Sequence, residues 1–444
     1  MASQLNFDEN GWFFVKPHEK LTNNIHDITE EDIERLLQLA DEEDVWVQNV
    51  INRVKERDRR FYQGKRGMED FFLDEILLKN AGGTTVPFPY NIEIITFPSK
   101  RHLFRGENKQ YQQTIPSLNR ALVHISNPKE QELYRAIAYM RKWQFASLIW
   151  QINVVPYWAA KISDVHYDAL AQHYGFSTHL LDLTNDFRTA LFFATCKYNT
   201  ISNSFEPLNE ADIERNEESK YGCIFHSPDW KIDYFNGGGY SEWSFNHPIT
   251  DEKQIFRLQA WDMDGVAMQI GYQPLYRCHA QSGYIYPMRN AKPLQQDVRF
   301  EKMRFRHSER LSRHVFELMD KGKKIFPQEG ISSIHHILDE IKHSVVFSID
   351  NLKCAFEIDG IDRNIFPTLE SLKSVLQGFH TVDGTIALRE EPVIRKISPQ
   401  ELALIDAHYD EKDLLQMMGG MIHRKPPSLQ LREQRCKEIY GKLI

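Results

Sequence analysis

Apolar residues recur at helical spacing in two parts of this chain. Leu133, Ala136, Ile137 and Met140 place one apolar face on a predicted helix. A second helix is predicted to begin at Thr29, because a threonine that can cap the helix is followed by acidic residues in the first turn and then by periodic apolar residues. Both helices therefore carry a face that needs a core to pack against.

Short apolar runs of strand length lie among the helical segments. Gly222–Phe225 and Ile255–Leu258 are typical of short strands, and Asn236–Tyr240 is typical of a flexible glycine turn. Ala190–Ala194 is apolar throughout and predicts a buried core segment. Because helices and strands alternate irregularly, the pattern favours an α+β fold with short mixed or antiparallel strands and surrounding helices over regular βαβ winding.

Changes in composition divide the chain into three regions. Residues 1–97 are predicted to be a separate, mostly helical region that ends in a linker at Gly82–Pro89. Residues 98–376 form the central α+β domain, and residues 377–444 carry further helical patches. The length of 444 residues is ample for such an arrangement.

Bulk charge and cysteine usage limit the class of protein. The formal net charge of -8 argues against a protein that coats nucleic acid or membranes as a whole, although a local basic site remains compatible with it. The five cysteines are widely spaced and form no metal or disulfide pattern. No secretory signal and no apolar run of membrane-spanning length is recognised, so we expect a cytoplasmic protein without a membrane partner.

One basic cluster stands out, with aromatic residues interleaved. It could hold an RNA backbone, or it could be a solvated helix face. Its members are Lys302, Arg304, Arg306, Arg310 and Arg313. The paired histidines His335 and His336 face different ways on a helix, so no metal site is predicted.

The densest polar stretch is residues 172–184, with the sequence Gln-His-Tyr-Gly-Phe-Ser-Thr-His-Leu-Leu-Asp-Leu-Thr. Buried polar groups cost about 1–3 kcal/mol each when unpaired, so such a concentration predicts a site. His173 and Tyr174 could stack on a ring, and His173 could move a proton; the alternative is a packed core pair. Asp182 is interpreted as structural, as a turn former or a partner of Arg105 or Arg188.

Further motifs surround this stretch, and together they carry a family resemblance. They are Phe104-Arg105-Gly106, Pro116-Ser117-Leu118-Asn119-Arg120, Arg277 with Gln281-Ser282-Gly283, and Gly360-Ile361 leading to Phe366-Pro367. In this order, with the 172–184 stretch and the Ala190–Ala194 block, they resemble the FRG domain family over residues 98–376. The chain departs from the family pattern at Ser177, His179 and Leu183.

The order of residue types also resembles ADP-ribosyltransferases of the Arg-Ser-Glu kind. That resemblance implies an arginine that holds a phosphate or ribose of NAD and a Ser-Thr pair that braces the nicotinamide pocket. It further implies a glutamate that stabilises an oxocarbenium-like transition state. The matching positions here are Arg105, then Ser177 and Thr178, then Gln281. Glutamine cannot offset developing positive charge, so Glu107 is a candidate to replace the acid.

These considerations give a set of expected site residues. We expect catalytic roles for Gln281, His173 and Thr178. We expect NAD or another nucleotide to contact Arg105, Gly106, Tyr174, Ser177 and Arg277. At a spacing of four on a short strand or turn, Arg277 and Gln281 would point to the same face and line one cleft.

The leading hypothesis is an NAD-using ADP-ribosyltransferase-like enzyme, a toxin or anti-phage defence effector that modifies protein or nucleic acid. An FRG binding module that recognises a nucleotide or phosphorylated ligand without chemistry is the alternative. In a third interpretation, the FRG part is regulatory and the flanking regions bind partners. All three require the separate motifs to meet at one place in the fold.

Overall fold

A computed structural model describes the chain in ten ranges. They are residues 6–7, 13–14, 25–45, 102–156, 165–200, 202–227, 267–270, 273–289, 292–297 and 300–409. The predicted strand Ile255–Leu258, the glycine turn Asn236–Tyr240 and the linker Gly82–Pro89 lie outside these described residues.

Helices and strands alternate through the described residues. The helices are α1 (30–45), α2 (Ser117–Leu122), α3 (Pro128–Ile149), α4 (Tyr167–His173), α5 (Phe187–Thr195), α6 (Glu210–Ile213), α7 (Arg277–Ala280), α8 (Glu309–Leu318), α9 (His335–Lys342), α10 (Ile349–Glu357), α11 (Leu369–Leu376) and α12 (Pro399–Asp406). The strands are β1 (Asn6–Phe7), β2 (Phe13–Phe14), β3 (Ile25–Asp27), β4 (Leu103–Glu107), β5 (Leu180–Thr184), β6 (Cys196–Asn199), β7 (Ser204–Pro207), β8 (Tyr221–Ser227), β9 (Met268–Gln269), β10 (Gly283–Pro287), β11 (Glu301–Arg306), β12 (Val346–Ser348), β13 (His380–Thr381), β14 (Gly384–Thr385) and β15 (Ala387–Arg389).

A seven-stranded mixed sheet, in the order β3-β11-β8-β4-β5-β10-β9, forms the centre of the described structure. Its neighbours are antiparallel except at one edge, where β3 runs parallel to β11. Besides this sheet, the described residues form helices and four two-stranded ladders. The expected α+β class is therefore confirmed, and the strand predicted at Gly222–Phe225 lies within β8.

Residues 25–45 are part of the central body. Strand β3 extends the main sheet, and α1 buries its apolar face in the core beneath α5. The predicted helix start is confirmed, since the Asp32 amide donates to Thr29 Oγ1 at 3.2 Å and the Thr29 amide donates to Asp32 Oδ2 at 2.8 Å. Arg188 of α5 also forms ion pairs with Asp41 and Asp44 of α1. The boundary drawn at residue 97 thus separates elements that share one sheet and one core.

The region after residue 376 joins the central body in a similar way. Strand β15 runs parallel to β12, and α12 packs against the short helical turn Gly330–Ile334. Tyr409 donates its hydroxyl to Glu329 at 2.9 Å, at a buried position. Residues 377–409 therefore pack on the preceding domain.

Two predicted core segments are confirmed. Leu133, Ala136, Ile137 and Met140 of α3 are all buried, and α3 packs against α10. In α5, Ala190, Leu191, Phe192 and Ala194 are fully buried. Helix α5 lies directly on the sheet, and its backbone approaches strands β4 and β8 closely.

Glycines make this close approach possible. A Cβ added to Gly106 of β4 would lie 1.7 Å from the Ala190 carbonyl oxygen, and one on Gly222 of β8 would lie 2.8 Å from the Ala194 carbonyl oxygen. Backbone atoms cannot move aside as a flexible side chain can. The glycine of the Phe-Arg-Gly motif is therefore required for the docking of α5 on the sheet.

We expect Gly106→Ala to destabilise the protein by more than about 3 kcal/mol, since the added methyl overlaps a helix carbonyl. The matched control is Gly378→Ala. Gly378 has a φ of +84° and open space around its Cβ position, so only the left-handed backbone penalty of about 1–2 kcal/mol applies. Urea unfolding measures both variants. Equal losses in the two would contradict the proposed contact.

Buried histidines make stability depend on pH. Burial is the largest cause that lowers the pKa of His166 and His179 to about 3, and that of His307 to about 4. In the unfolded chain these histidines have the usual pKa near 6.5 and become protonated below it, whereas the folded state keeps their rings neutral at the same pH. Their contribution is therefore present above about pH 6.5 and is lost as the pH falls below it.

Between about pH 6 and pH 4, each such histidine should lower the free energy of unfolding by up to about 1.4 kcal/mol per pH unit. His179→Gln should flatten this dependence, because the residue that titrates in the unfolded chain is gone. His335→Gln, at an exposed position, is the control and should leave the slope unchanged. Urea midpoints over this pH range give the measurement, and an unaltered slope in His179→Gln would refute the explanation.

Candidate functional site

A cleft opens in the middle of the main sheet, where β4 and β5 separate. β4 shares five residue pairs with β8, and β5 shares five with β10, whereas β4 and β5 share the single pair Phe104 with Thr184. The cleft next to this pair has a volume of about 440 Å³. Small-molecule sites commonly have volumes of this order.

Arg105 lies across the separation of the two strands. Its Nη1 donates to the backbone carbonyl of Asp182 at 2.9 Å, and its Nε donates to Glu107 Oε1 at 3.1 Å. The guanidinium therefore satisfies a carbonyl of β5 at the separation. The side chain is 18% exposed and lines the cleft, so it joins two strands and also faces the cleft.

Glu107 is the less accessible of two carboxylates on the cleft. It projects from the same face of β4 as Arg105, two residues away, and is buried. Besides Arg105, it accepts a hydrogen bond from Thr114 Oγ1 at 2.7 Å. These two partners occupy both of its oxygens, which argues against Glu107 as the replacement acid.

Asp182 is the more exposed carboxylate, and the sequence interpretation assigned it a structural role. Its side chain is 39% exposed and lines the cleft. Oδ1 accepts a hydrogen bond from Gln172 Nε2 at 2.5 Å, and His173 Nε2 lies 3.9 Å from the same oxygen. Its pairing with Arg105 runs through its backbone carbonyl and not through its carboxylate. A carboxylate among the leucines of the strand Leu-Leu-Asp-Leu-Thr is the sequence signal that could have identified it.

Gln281 reaches the same cleft from a distant part of the chain. Its backbone carbonyl accepts a hydrogen bond from Thr184 Oγ1 at 2.9 Å, and its Nε2 donates to the Ile325 carbonyl at 3.0 Å. The side chain is mostly buried and lines the cleft. The structure therefore brings Arg105, Asp182 and Gln281 to one cleft.

Arg277 is placed differently from the expectation. Of the predicted short strand or turn, the structure has no strand at these positions: Arg277 begins helix α7, and Gln281 lies in the turn that follows it. Its buried guanidinium donates to the His173 carbonyl at 2.7 Å and stacks on the rings of Tyr174 and Phe326. Because the helical turn directs it into the core, Arg277 is not among the residues that line the cleft.

Several residues of the 172–184 stretch also lie away from the cleft wall. Tyr174 is buried, and its hydroxyl donates a hydrogen bond to Glu329 Oε1 at 2.9 Å. Thr178 is also buried, and its backbone amide donates to Ser117 Oγ at 3.2 Å. Ser177 is exposed and is not part of the cleft lining. His173 is buried behind Asp182, and burial lowers its pKa, so its ring is neutral near pH 7. Helix α4 ends within this stretch, which explains why its polar side chains diverge.

Arg120 and Tyr111 form the outer rim of the cleft, and sequence reasoning assigned neither a role. Arg120 Nη1 donates to the Ile115 carbonyl at 3.0 Å. Partial burial is the main cause that lowers the pKa of Arg120, and the positive charge of the nearby Arg105 lowers it further. Partial burial is the main cause that raises the pKa of Tyr111, and the negative charge of Glu107 raises it further. The arginine of the Pro-Ser-Leu-x-Arg motif is the sequence signal that could have identified this rim. Two guanidinium groups consequently border one opening.

The opposite wall is aromatic. Tyr198 lies 5.2 Å from Phe205, and Phe193 lies 5.7 Å from Phe205, measured between ring centroids. Tyr198 is 41% exposed, so part of this wall meets solvent. Cys196 also lines the cleft, but burial raises the pKa of its thiol to about 12. It is therefore a thiol at neutral pH and a poor nucleophile.

The basic cluster is divided between two elements. Strand β11 carries Lys302, Arg304 and Arg306, and helix α8 carries Arg310 and Arg313. The interpretation of this cluster as one solvated helix face is therefore wrong. Lys302 is buried. Asp27 binds Arg304 at 2.6 Å, and Glu30 pairs with Arg310, so acidic residues before α1 and in its first turn neutralise part of the cluster.

The part of the chain that the structure describes lacks two kinds of feature. It contains no group of three or more histidine, cysteine or carboxylate side chains arranged to hold a metal ion. None of its helices has the length and apolar character needed to cross a membrane.

Comparisons with known proteins agree with the motifs at the cleft. Residues 100–203 match the family model of the FRG domain. No curated protein and no solved structure matches the chain. The matched range holds Arg105, Arg120 and Asp182, and it ends before Gln281. Residues 100–203 of this chain are therefore an FRG domain.

Proposed function

We propose that the cleft binds a nucleotide, that NAD is this nucleotide, and that the protein is an ADP-ribosyltransferase-like enzyme. The observation that carries the proposal is the meeting of Arg105, Asp182 and Gln281 on one cleft. These residues lie in distant motifs, and packing alone does not require an arginine, an acid and an amide to border the same opening. The volume of about 440 Å³ is suited to a ligand of nucleotide size.

The anionic part of the ligand would lie at Arg105 and Arg120. A guanidinium binds phosphate oxygens through paired hydrogen bonds, each worth about 1.5–3 kcal/mol when charged. Arg105 is held by Glu107 and the Asp182 carbonyl, so its position is set before a ligand arrives. Positioning of this kind lowers the entropy lost on binding.

The ring of the ligand would lie against the aromatic wall. Tyr198, Phe193 and Phe205 offer partly exposed ring surface on the cleft. Stacking of a base or nicotinamide on such rings is worth about 1–3 kcal/mol per ring in nucleic-acid complexes. The cleft therefore combines a cationic rim with a ring-binding wall, as a nucleotide requires.

Asp182 would supply the carboxylate that Gln281 cannot. When the bond between the nicotinamide nitrogen and the ribose C1′ breaks, its electron pair leaves with nicotinamide and positive charge develops on the ribose. Asp182 would stabilise this charge, and Gln281 would hydrogen-bond a ribose hydroxyl. An acceptor nucleophile then bonds to C1′ and releases its proton. The partial exposure of Asp182 is compatible with contact to a bound ribose.

The second candidate is a binding module that recognises a nucleotide or phosphorylated ligand without chemistry. The observation that favours it is the glutamine at position 281, whose Nε2 is already bonded to the Ile325 carbonyl. It predicts NAD affinity without turnover. A toxin or defence role, with protein or nucleic acid as the acceptor, is part of the proposal for the enzyme.

Arg120→Ala tests the cationic rim. Loss of one charged hydrogen bond to phosphate should weaken NAD binding about tenfold or more, as measured by titration calorimetry. The fold should be kept, because Arg120 is exposed and makes its hydrogen bond to the nearby Ile115 carbonyl. The control is Arg313→Ala on the exposed face of α8, which should bind NAD as the wild type does. Equal affinity of both variants would rule out the proposed rim.

Asp182→Asn tests the chemistry. The substitution keeps the shape of the side chain and removes its charge, so NAD turnover should fall about 10²–10³-fold while NAD affinity does not fall. Release of labelled nicotinamide measures turnover. Asp339→Asn, at an exposed carboxylate, serves as the control. Measurable NAD affinity with no turnover by the wild type would favour the binding module over the enzyme.

A further inference from the structure

We infer that Thr178 and Gln172 are positioning residues that orient the Asp182 carboxylate in the cleft. Thr178 Oγ1 donates a hydrogen bond to Gln172 Oε1, and Gln172 Nε2 donates to Asp182 Oδ1 at 2.5 Å. The chain of bonds runs from a buried hydroxyl, through one amide, to the exposed acid of the site. Neither Thr178 nor Gln172 is among the residues that line the cleft.

The direction of this chain is fixed by the Asp182 carboxylate, which only accepts hydrogen bonds. The Thr178 hydroxyl accepts from the Leu180 amide at 3.2 Å and donates to Gln172 Oε1. With the oxygen of the Gln172 amide turned to the hydroxyl, the NH₂ group must face Asp182. The opposite orientation would place two oxygens against each other and repel the carboxylate.

The supports of the chain are themselves held in place. The Thr178 amide donates to Ser117 Oγ at 3.2 Å, and the Thr178 carbonyl accepts from the Leu118 amide at 3.1 Å. Thr178 is therefore tied to helix α2, and Gln172 belongs to helix α4. One oxygen of Asp182 is thus held from two helices while its side chain stays 39% exposed toward a ligand.

The consequence for activity rests on the proposed function, in which Asp182 stabilises positive charge on the ribose. A carboxylate that loses its donor can rotate away from the reacting carbon. A small misplacement of a charged group lowers the rate of the chemical step more than it lowers affinity. The loss should therefore appear in kcat, with KM nearly unchanged.

The full-length protein with NAD as the probe gives the first test. Thr178→Val should lower kcat for nicotinamide release about tenfold with KM within about twofold, and Thr178→Ser should restore most of the rate because it keeps the hydroxyl. Gln172→Leu should match Thr178→Val. Ser147→Ala is the control, since it removes a buried hydroxyl bonded to the Trp143 carbonyl at 3.0 Å, away from the cleft. An equal loss in Thr178→Ser would overturn the inference.

A second readout does not depend on NAD. Labelling of exposed carboxyl groups with a water-soluble carbodiimide and an amine, followed by peptide mass spectrometry, measures how tightly Asp182 is held. Asp182 should label about threefold faster in Thr178→Val and Gln172→Leu, and at the wild-type rate in Thr178→Ser and Ser147→Ala. If the wild type does not turn over NAD, the proposed function fails and this labelling alone decides the inference. Unchanged labelling in both Thr178→Val and Gln172→Leu would refute it.

Discussion

The contact between the Arg105 guanidinium and the Asp182 carbonyl is the interaction on which the cleft depends. Two central strands that separate leave backbone groups without ladder partners, and such groups carry a penalty when they are buried. Arg105 satisfies one of them at 2.9 Å and is itself neutralised by Glu107 at 3.1 Å. The sheet can therefore open at its centre without leaving this carbonyl or this guanidinium unpaired.

The two glycines facing α5 act on the same region from the helix side. Gly106 and Gly222 bring the α5 backbone into direct contact with β4 and β8. The helix then covers the face of β4 that carries Phe104 and Gly106, while Arg105 and Glu107 extend from the other face of this strand. The three residues of the Phe-Arg-Gly motif thus have distinct tasks, which are core packing, contact with the cleft and helix docking.

Local patterns in the sequence predicted the local elements well. The cap at Thr29, the buried face of α3, the apolar α5 and the strand at Gly222–Phe225 follow from spacing and residue type, and the structure has each of them. The order of the motifs also pointed to the FRG domain. These features depend on neighbours within a few residues, which a sequence displays directly.

Features that depend on distant partners were harder to predict. In residues 172–184, helix α4 gives way to strand β5, so neither the helical nor the alternating period tells which polar side chain meets the cleft. Asp182 therefore looked structural, while Tyr174 and Arg277, which pack in the core, looked like ligand contacts. The parallel pairing of β3 with β11 joins residues 277 positions apart and leaves no local signal.

The balance of charge in the cleft bears on the choice between a binding module and an enzyme. In the proposed function, Arg105 and Arg120 would attract the anionic ligand, whereas a carboxylate on the same cleft would repel it. A module that only binds phosphate would gain affinity from a neutral residue at position 182. Instead, the structure has a partly exposed aspartate with a dedicated donor at 2.5 Å, supported in turn by a buried threonine. A held acid of this kind would be useful when positive charge appears during a reaction, and this is why we propose an enzyme ahead of a binding module.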